Sequence, residues 1–233
     1  MPSSYNDTDP FVCEYPLKAL DLFCGAGGVT RGLQLAGFHV TGVDLKPQPH
    51  YVGDHFIQAD ALLPPVRLTD FDLLCASPPC QAHTSLKSMW NARRHDDLIP
   101  ATRALLQASG KPYIIENVPG SPLHGAVTLC GTMFGLGCPG AELRRHRLFE
   151  TSFPVLAPSC QHGIQPRVIG VYGGHGRDRR RLKNTQDFPI AARRHAMGID
   201  WMTGAELSQA IPPAYAHWLA VQFLNLKQRS EDI

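Results

Sequence analysis

Lys18-Ala19-Leu20-Asp21-Leu22-Phe23-Cys24-Gly25-Ala26-Gly27-Gly28 opens the stretch that decides the fold, which runs on to Asp44. Ala19 to Phe23 has the apolar character of a buried strand. Cys24 to Gly28 supplies a glycine-rich turn, and Val29 to about Ala36 has helical character. Gly37, free to take a left-handed conformation, ends that helix. His39-Val40-Thr41-Gly42-Val43 is the next strand, with Asp44 at its carboxyl end. Strand, glycine turn, helix, strand and acid form the ground plan of a nucleoside-binding α/β half-sheet. The glycines let the backbone approach a ligand, and the acid accepts from two ribose hydroxyls. Gly25, Gly27 and Gly28 do not complete G-x-G-x-x-G, so a single nucleoside fits better than a dinucleotide.

Working outward, Phe56 to Asp60 reads as a third strand ending in an acid. Asp60 is either an acceptor for an adenine amino group or an ordinary turn former. Phe71 to Ala76 is a short apolar strand, and Ser77-Pro78-Pro79-Cys80-Gln81 follows it. Two prolines stop regular structure and hold the residues before them extended. Cys80 therefore sits on a stiff turn at the carboxyl end of a strand, where a thiol is either a nucleophile or simply half-buried. Ala82 to Arg94 has no period and reads as a binding loop. Asp96 to Ser109 reads as a helix stopped by Gly110. Tyr113 to Ile115 is a buried strand that carries Glu116 to the same sheet edge as Cys80 and Asp44. A carboxyl on a buried rim tends to hold its proton nearer neutrality. Leu143-Arg144-Arg145-His146-Arg147 is densely basic, and in an extended segment Arg145 and Arg147 share a side.

The chain has 233 residues, of which 43% are hydrophobic and 18% charged, enough for one substantial core and a small insert. No stretch is apolar enough to span a membrane, and the polar start reads as neither signal nor anchor. Seven cysteines without framework spacing imply reduced thiols and a cytosolic setting. The net charge is +2, but Arg144 to Arg194 holds eleven Lys/Arg against three acids. A basic segment on an acidic body suggests a polyanion partner at one face.

Phe23-Cys24-Gly25-Ala26-Gly27-Gly28, Pro78-Pro79-Cys80-Gln81, Glu116-Asn117-Val118 and Arg145-His146-Arg147 occur in that order. They resemble the signature motifs of the DNA (cytosine-5) methyltransferase family, over roughly residues 18–150. The compactness resembles versions carried by phages and prophages. The resemblance implies a doubly wound, mostly parallel α/β sheet of the S-adenosylmethionine-dependent type with a small target-recognition insert. It implies Cys80 as nucleophile, Glu116 on cytosine N3, Arg147 on cytosine O2 and Arg145 as support for that loop. Phe23, Gly25, Gly27, Gly28, Asp44, Asp60, Pro79 and the C-terminal Gln209 would line the S-adenosylmethionine site. Because the target atoms lie inside the duplex, the cytosine must be flipped out.

Three positions depart from the family pattern: Leu143 replaces a glutamine, His83 an aromatic residue, and Gln209 an asparagine. The resemblance divides the chain into a polar tail (1–15), a catalytic and cofactor-binding domain (16–149), a short basic recognition region (150–195) and a C-terminal return (196–233). Within the recognition region, Arg177, Arg179, Arg180, Arg181 and Lys183 lie in a glycine-rich loop expected to track phosphates rather than read bases. Cys130, Cys138, Cys160 and His162 invite a zinc reading, but their spacing matches no standard finger, so no metal is expected. The expected partner is double-stranded DNA, with tRNA as the alternative substrate, no membrane, and a monomeric state. The expected setting is the cytoplasm of a bacterial cell, with a role in restriction-modification. Two further alternatives are a DNA-binding relative without turnover, opposed by the intact Cys80, Glu116 and Arg147, and transfer of a different one-carbon or larger group onto the pyrimidine, which the cysteine chemistry also permits.

Overall fold

The computed structural model describes residues 16–79, 96–172 and 188–231. In chain order the first strands are β1 (Lys18–Leu22), β2 (His39–Asp44), β3 (His55–Gln58), β4 (Leu73–Ala76) and β5 (Tyr113–Asn117). They are followed by β6 (Val127–Leu129), β7 (Gly137–Cys138), β8 (Ala141–Leu143), β9 (Arg147–Thr151) and β10 (Arg167–Ile169). Among the described residues, seven strands form one sheet in the order β3-β2-β1-β4-β5-β9-β6. β1 to β5 pair in parallel, and β9 runs antiparallel to both β5 and β6. The strand order reverses between β1 and β4. At such a point an open sheet leaves a crevice beyond its carboxyl ends, and β1, β2, β4 and β5 all deliver residues there.

The central strands are apolar on both faces because both faces are covered. Ala19, Leu73, Cys75 and Ile114 face one way, onto Val29 and Leu33 of α1 (Gly28–Leu35) and Tyr215, Leu219 and Phe223 of α5 (Pro213–Glu231). Their neighbours Leu20, Leu22, Leu74 and Ile115 face the other way, with Phe71 and with Leu106 of α2 (Ile99–Ala108). This is the two-residue alternation of a pleated strand. Arg103 of α2 forms a bidentate pair with Glu150 of β9 (Nε–Oε1 2.8 Å, Nη2–Oε2 2.7 Å). That pair fixes the helix over the antiparallel end of the sheet.

A second, three-stranded sheet (β10-β8-β7) packs with α3 (Ile190–Met197) and α4 (Gly204–Gln209) around Leu143, Ile169, Val171, Met197 and Leu207. Ala26 of the glycine turn belongs to this same core, so the smaller unit leans on the first turn of the larger.

The strands and helices expected between Ala19 and Ile115 are present with small shifts. The helix expected from Asp96 begins at Ile99, because the Asp97 side chain accepts from the Ile99 amide (3.0 Å) as a turn former. The third strand stops at Gln58, two residues short of Asp60. Strand β9 lies in the main sheet and straddles the expected 149/150 boundary. Cys80, the loop from Gln81 to Arg94 with His83, and the basic residues Arg177, Arg179, Arg180, Arg181 and Lys183 lie outside the described residues. No helix among the described residues is long and apolar enough to cross a membrane.

Candidate cofactor and base site

The glycine turn after β1 is bent by backbone conformations that favour glycine. Phe23 (φ 59°), Gly25 (φ 51°) and Gly27 (φ 89°) all lie in the left-handed region. The space around Gly25 is open: a Cβ placed there meets nothing within 4 Å. Its amide donates to Asp44 Oδ2 (3.0 Å), and the Lys46 amide donates to Asp44 Oδ1 (3.0 Å). Each carboxylate oxygen can accept two hydrogen bonds, so Asp44 keeps capacity for ribose hydroxyls while holding the turn. An open backbone cradle with an acid at the next strand end fits a nucleoside ligand such as S-adenosylmethionine.

Gly28 is different. A Cβ on it would stand 2.4 Å from the Ile211 carbonyl oxygen. Its smallness lets the chain entering α5 lie against the first turn of α1, so its visible role is packing. The Trp201 indole N–H reaches the same turn from the C-terminal part of the chain and donates to Ala26 O (2.9 Å). Gln209, the last residue of α4, is exposed, with its amide near Ser208 Oγ (3.5 Å). Asp60 is exposed, and its Oδ1 accepts from the Leu62 amide (2.9 Å), the turn-forming role.

Asp21, in the middle of β1, was not singled out in the sequence. It is fully buried and accepts from the Thr30 amide (3.1 Å) and hydroxyl (2.6 Å), while Oδ1 has no donor. Burial pushes its carboxyl up to about 7, against the pull of the Thr30 bonds. An acid inside an apolar strand is the signal that would have found it.

Further along the same edge, β4 leads into Pro78 and Pro79. The Asn117 side chain, at the end of β5, donates to Pro78 O (2.9 Å) and receives the Ser121 hydroxyl (2.7 Å). This buried bond ties the start of the proline turn to the neighbouring strand. It shows why an asparagine follows Glu116.

Glu116 is 7% exposed, and Arg147 Nε stands 3.2 Å from its Oε1. That oxygen nevertheless receives no aligned hydrogen bond, so the two are held by charge and the oxygen is free to bind another group. Burial raises the Glu116 carboxyl, while Arg147, Arg145 and a hydrogen bond from Ser77 pull it back.

Arg145 takes partners other than those of Arg147. Residues 144–146 are not in a strand, so the two-residue parity does not apply. Its guanidinium is 1% exposed and donates to Val171 O (2.6 Å), Ser208 O (2.8 Å) and Ala210 O (2.9 Å). Burial, then the charge of Arg147, lowers it to about 9, still protonated at neutral pH. The Tyr215 hydroxyl donates to Arg145 O (2.6 Å) from α5. Arg145 is thus a strut between the smaller sheet, α4 and α5.

Of the expected residues, the structure brings Asp44, Gly25, Pro79, Glu116 and Arg147 to the carboxyl edge of one sheet, beside the turn entering Cys80. Residues 17–124 match the family model of C-5 cytosine-specific DNA methylases. The match covers 108 of the chain's 233 residues.

Two solved structures share the fold of the whole chain. One is a candidate DNA modification methyltransferase encoded within a prophage (E. coli): TM-score 0.59 at 13% identity, over 91% of this chain and 99% of that one. The other is the Entamoeba histolytica methyltransferase EhMeth: TM-score 0.52 at 11% identity, over 90% of this chain and 99% of that one. No curated protein sequence matches the chain.

Proposed function

We propose that the chain methylates C5 of a cytosine flipped out of double-stranded DNA, through a covalent bond between Cys80 and the base. The observation that carries this reading is the free, buried Oε1 of Glu116, 3.2 Å from Arg147 Nε, on the strand next to the one that leads into Cys80. A protonated carboxyl there donates to cytosine N3, and Arg147 supplies a cationic donor for O2. Both interactions draw electron density from the ring. The Cys80 thiolate then forms a bond to C6, N3 takes the Glu116 proton, and C5 becomes the nucleophilic carbon. Cysteine suits the step because a few per cent is thiolate at pH 7 and the thiolate is intrinsically nucleophilic. The sulfonium of S-adenosylmethionine supplies the methyl group when bound. Loss of the C5 proton to water with breakage of the sulfur–carbon bond releases the Cys80 thiolate, and N3 returns its proton to Glu116.

Gly25 and Asp44 hold the nucleoside part of the donor in this reading, and Asn117 fixes the proline turn that presents Cys80. The basic residues from Arg177 to Lys183 track phosphates. Extrusion of the base makes a flipped cytosine in DNA the substrate class. The family match favours DNA over RNA, and the test separates the two.

Duplex DNA carrying 5-fluorocytosine at its cytosines, incubated with the chain and S-adenosylmethionine, is expected to form an adduct that survives denaturation. Fluorine cannot leave as a proton does, so the adduct is trapped. Cys80→Ala abolishes it. An adduct that persists in Cys80→Ala, or one formed on 5-fluorocytosine tRNA and not on DNA, would overturn the assignment.

A further inference from the structure

Cys130, His146, Cys160 and His162 lie at separate points of the chain, and the fold brings one ligating atom of each to within 4.8 Å of the other three. Cys130 precedes the 3₁₀ turn Gly131–Phe134 and is buried. His146 sits between the two arginines of the base site. Cys160 and His162 lie in the irregular segment between β9 and β10, and both are exposed. Cys130 Sγ is 3.3 Å from His162 Nε2, and Cys160 Sγ is 3.5 Å from His146 Nε2. The two imidazole rings are nearly perpendicular (82°), with centroids 5.1 Å apart.

These distances have a metric meaning. Tetrahedral zinc with Zn–S of about 2.3 Å and Zn–N of about 2.0–2.1 Å has sulfur–nitrogen edges of about 3.6 Å. Two sulfur–nitrogen pairs already stand close to that edge length. The donor set, two thiols and two imidazoles, is a structural zinc set with no coordination position left open for a substrate. Cys138 stands outside the group, and His146 is its fourth member.

We infer that Cys130, His146, Cys160 and His162 bind a structural zinc ion that clamps the segment between β9 and β10 against the Arg145-His146-Arg147 turn. On binding, two thiol protons leave and two sulfur–zinc and two nitrogen–zinc bonds form, with no change of oxidation state. The ion then fixes His146, and with it the adjacent backbone of Arg147, to the start of the recognition region. Backbone amides also anchor the segment here: Gly163 and Gln165 donate to the Glu142 carboxylate (2.8 and 3.1 Å), and Gln161 donates to Thr132 Oγ1 (3.3 Å).

The full-length chain, purified under reducing conditions and equilibrated with micromolar zinc before desalting, is expected to retain one zinc per chain by elemental analysis. Cobalt(II) in its place is expected to give the intense visible bands of a tetrahedral site and a thiolate-to-metal charge-transfer band. Cys160→Ser and His162→Ala change exposed side chains, so each is expected to fold and to lose the zinc and the cobalt bands. Cys138→Ser keeps both. A chain that retains no zinc, a Cys160→Ser or His162→Ala variant that keeps a full equivalent, or a Cys138→Ser variant that loses it would overturn the assignment. A Cys130–Cys160 disulfide persisting under the reducing conditions would do so too. None of these readouts depends on methyl transfer, so zinc can be absent while the proposed activity stands, and the reverse.

Discussion

Arg147 Nε stands 3.2 Å from Glu116 Oε1 without giving it an aligned hydrogen bond. The carboxyl is raised by burial, and the positive charge restrains the rise. Glu116→Gln removes the transferable proton and leaves the shape. It is expected to slow methyl transfer by roughly 10²–10⁴-fold, with S-adenosylmethionine affinity unchanged. Arg147→Ala removes the restraining charge. The limb of the single-turnover pH–rate profile that reports the protonated acid should then move to higher pH. A limb that stays in place, in a variant that still turns over, would show that Arg147 does not act on Glu116.

Asp44 both holds Gly25 and faces the nucleoside cradle. Asp44→Ala should weaken S-adenosylmethionine binding by roughly 1–3 kcal/mol, read by calorimetry without DNA. Unchanged affinity would remove Asp44 from the cofactor site.

Asp21 has a folded-state pKa near 7 against a reference value of 3.8. A raised pKa means that its contribution to stability is fully present below about pH 4 and is lost as pH rises toward 7. The shift corresponds to a loss on the order of 4 kcal/mol. Asparagine does not titrate. The stability of Asp21→Asn relative to the parent should therefore grow from pH 4 to 7 and then level off in urea titrations. Taking the difference between the two chains cancels groups such as Glu142, whose carboxyl is lowered to about 2 and whose contribution is lost at acid pH. A pH-independent difference would show that burial does not hold the Asp21 proton.

Tyr215 and Arg145 form the strut behind the base site. Tyr215→Phe leaves the Arg145 carbonyl without its buried donor and should cost roughly 1–3 kcal/mol. Arg145→Lys keeps the charge but cannot span three carbonyls with one planar fork, so its loss should exceed that of Tyr215→Phe. If Arg145→Lys unfolds like the parent while its turnover collapses, Arg145 touches substrate and is not a strut alone.

The half-sheet from Lys18 to Asp44 was legible because its signals are local: apolar runs, a glycine turn and an acid at a strand end. Glu116 was legible because a charged residue ending an apolar run can only sit at a sheet edge. Strands β6, β7 and β8 were not, since two or three residues carry no periodicity and pair only because the tertiary fold presents a partner. The backbone partners of Arg145 were hidden because side-chain parity holds inside a strand and does not extend across a bend. Asp21 was hidden by its apolar neighbours. His146 read as part of a basic run, and only the folding of four distant segments onto one point sets it beside two thiols and a second imidazole.

The Trp201 bond to Ala26 spans 175 residues, and the backbone at Ile211 seats against Gly28. The first turn of the sheet is therefore finished by residues some 175 positions further along the chain. During synthesis the half-sheet can form its strands, but its ligand cradle stays unbraced until Trp201 and Ile211 have left the ribosome. Contacts of such long sequence separation make folding slow. The turn that begins the sheet is therefore complete only once Trp201 and Ile211 have joined the fold.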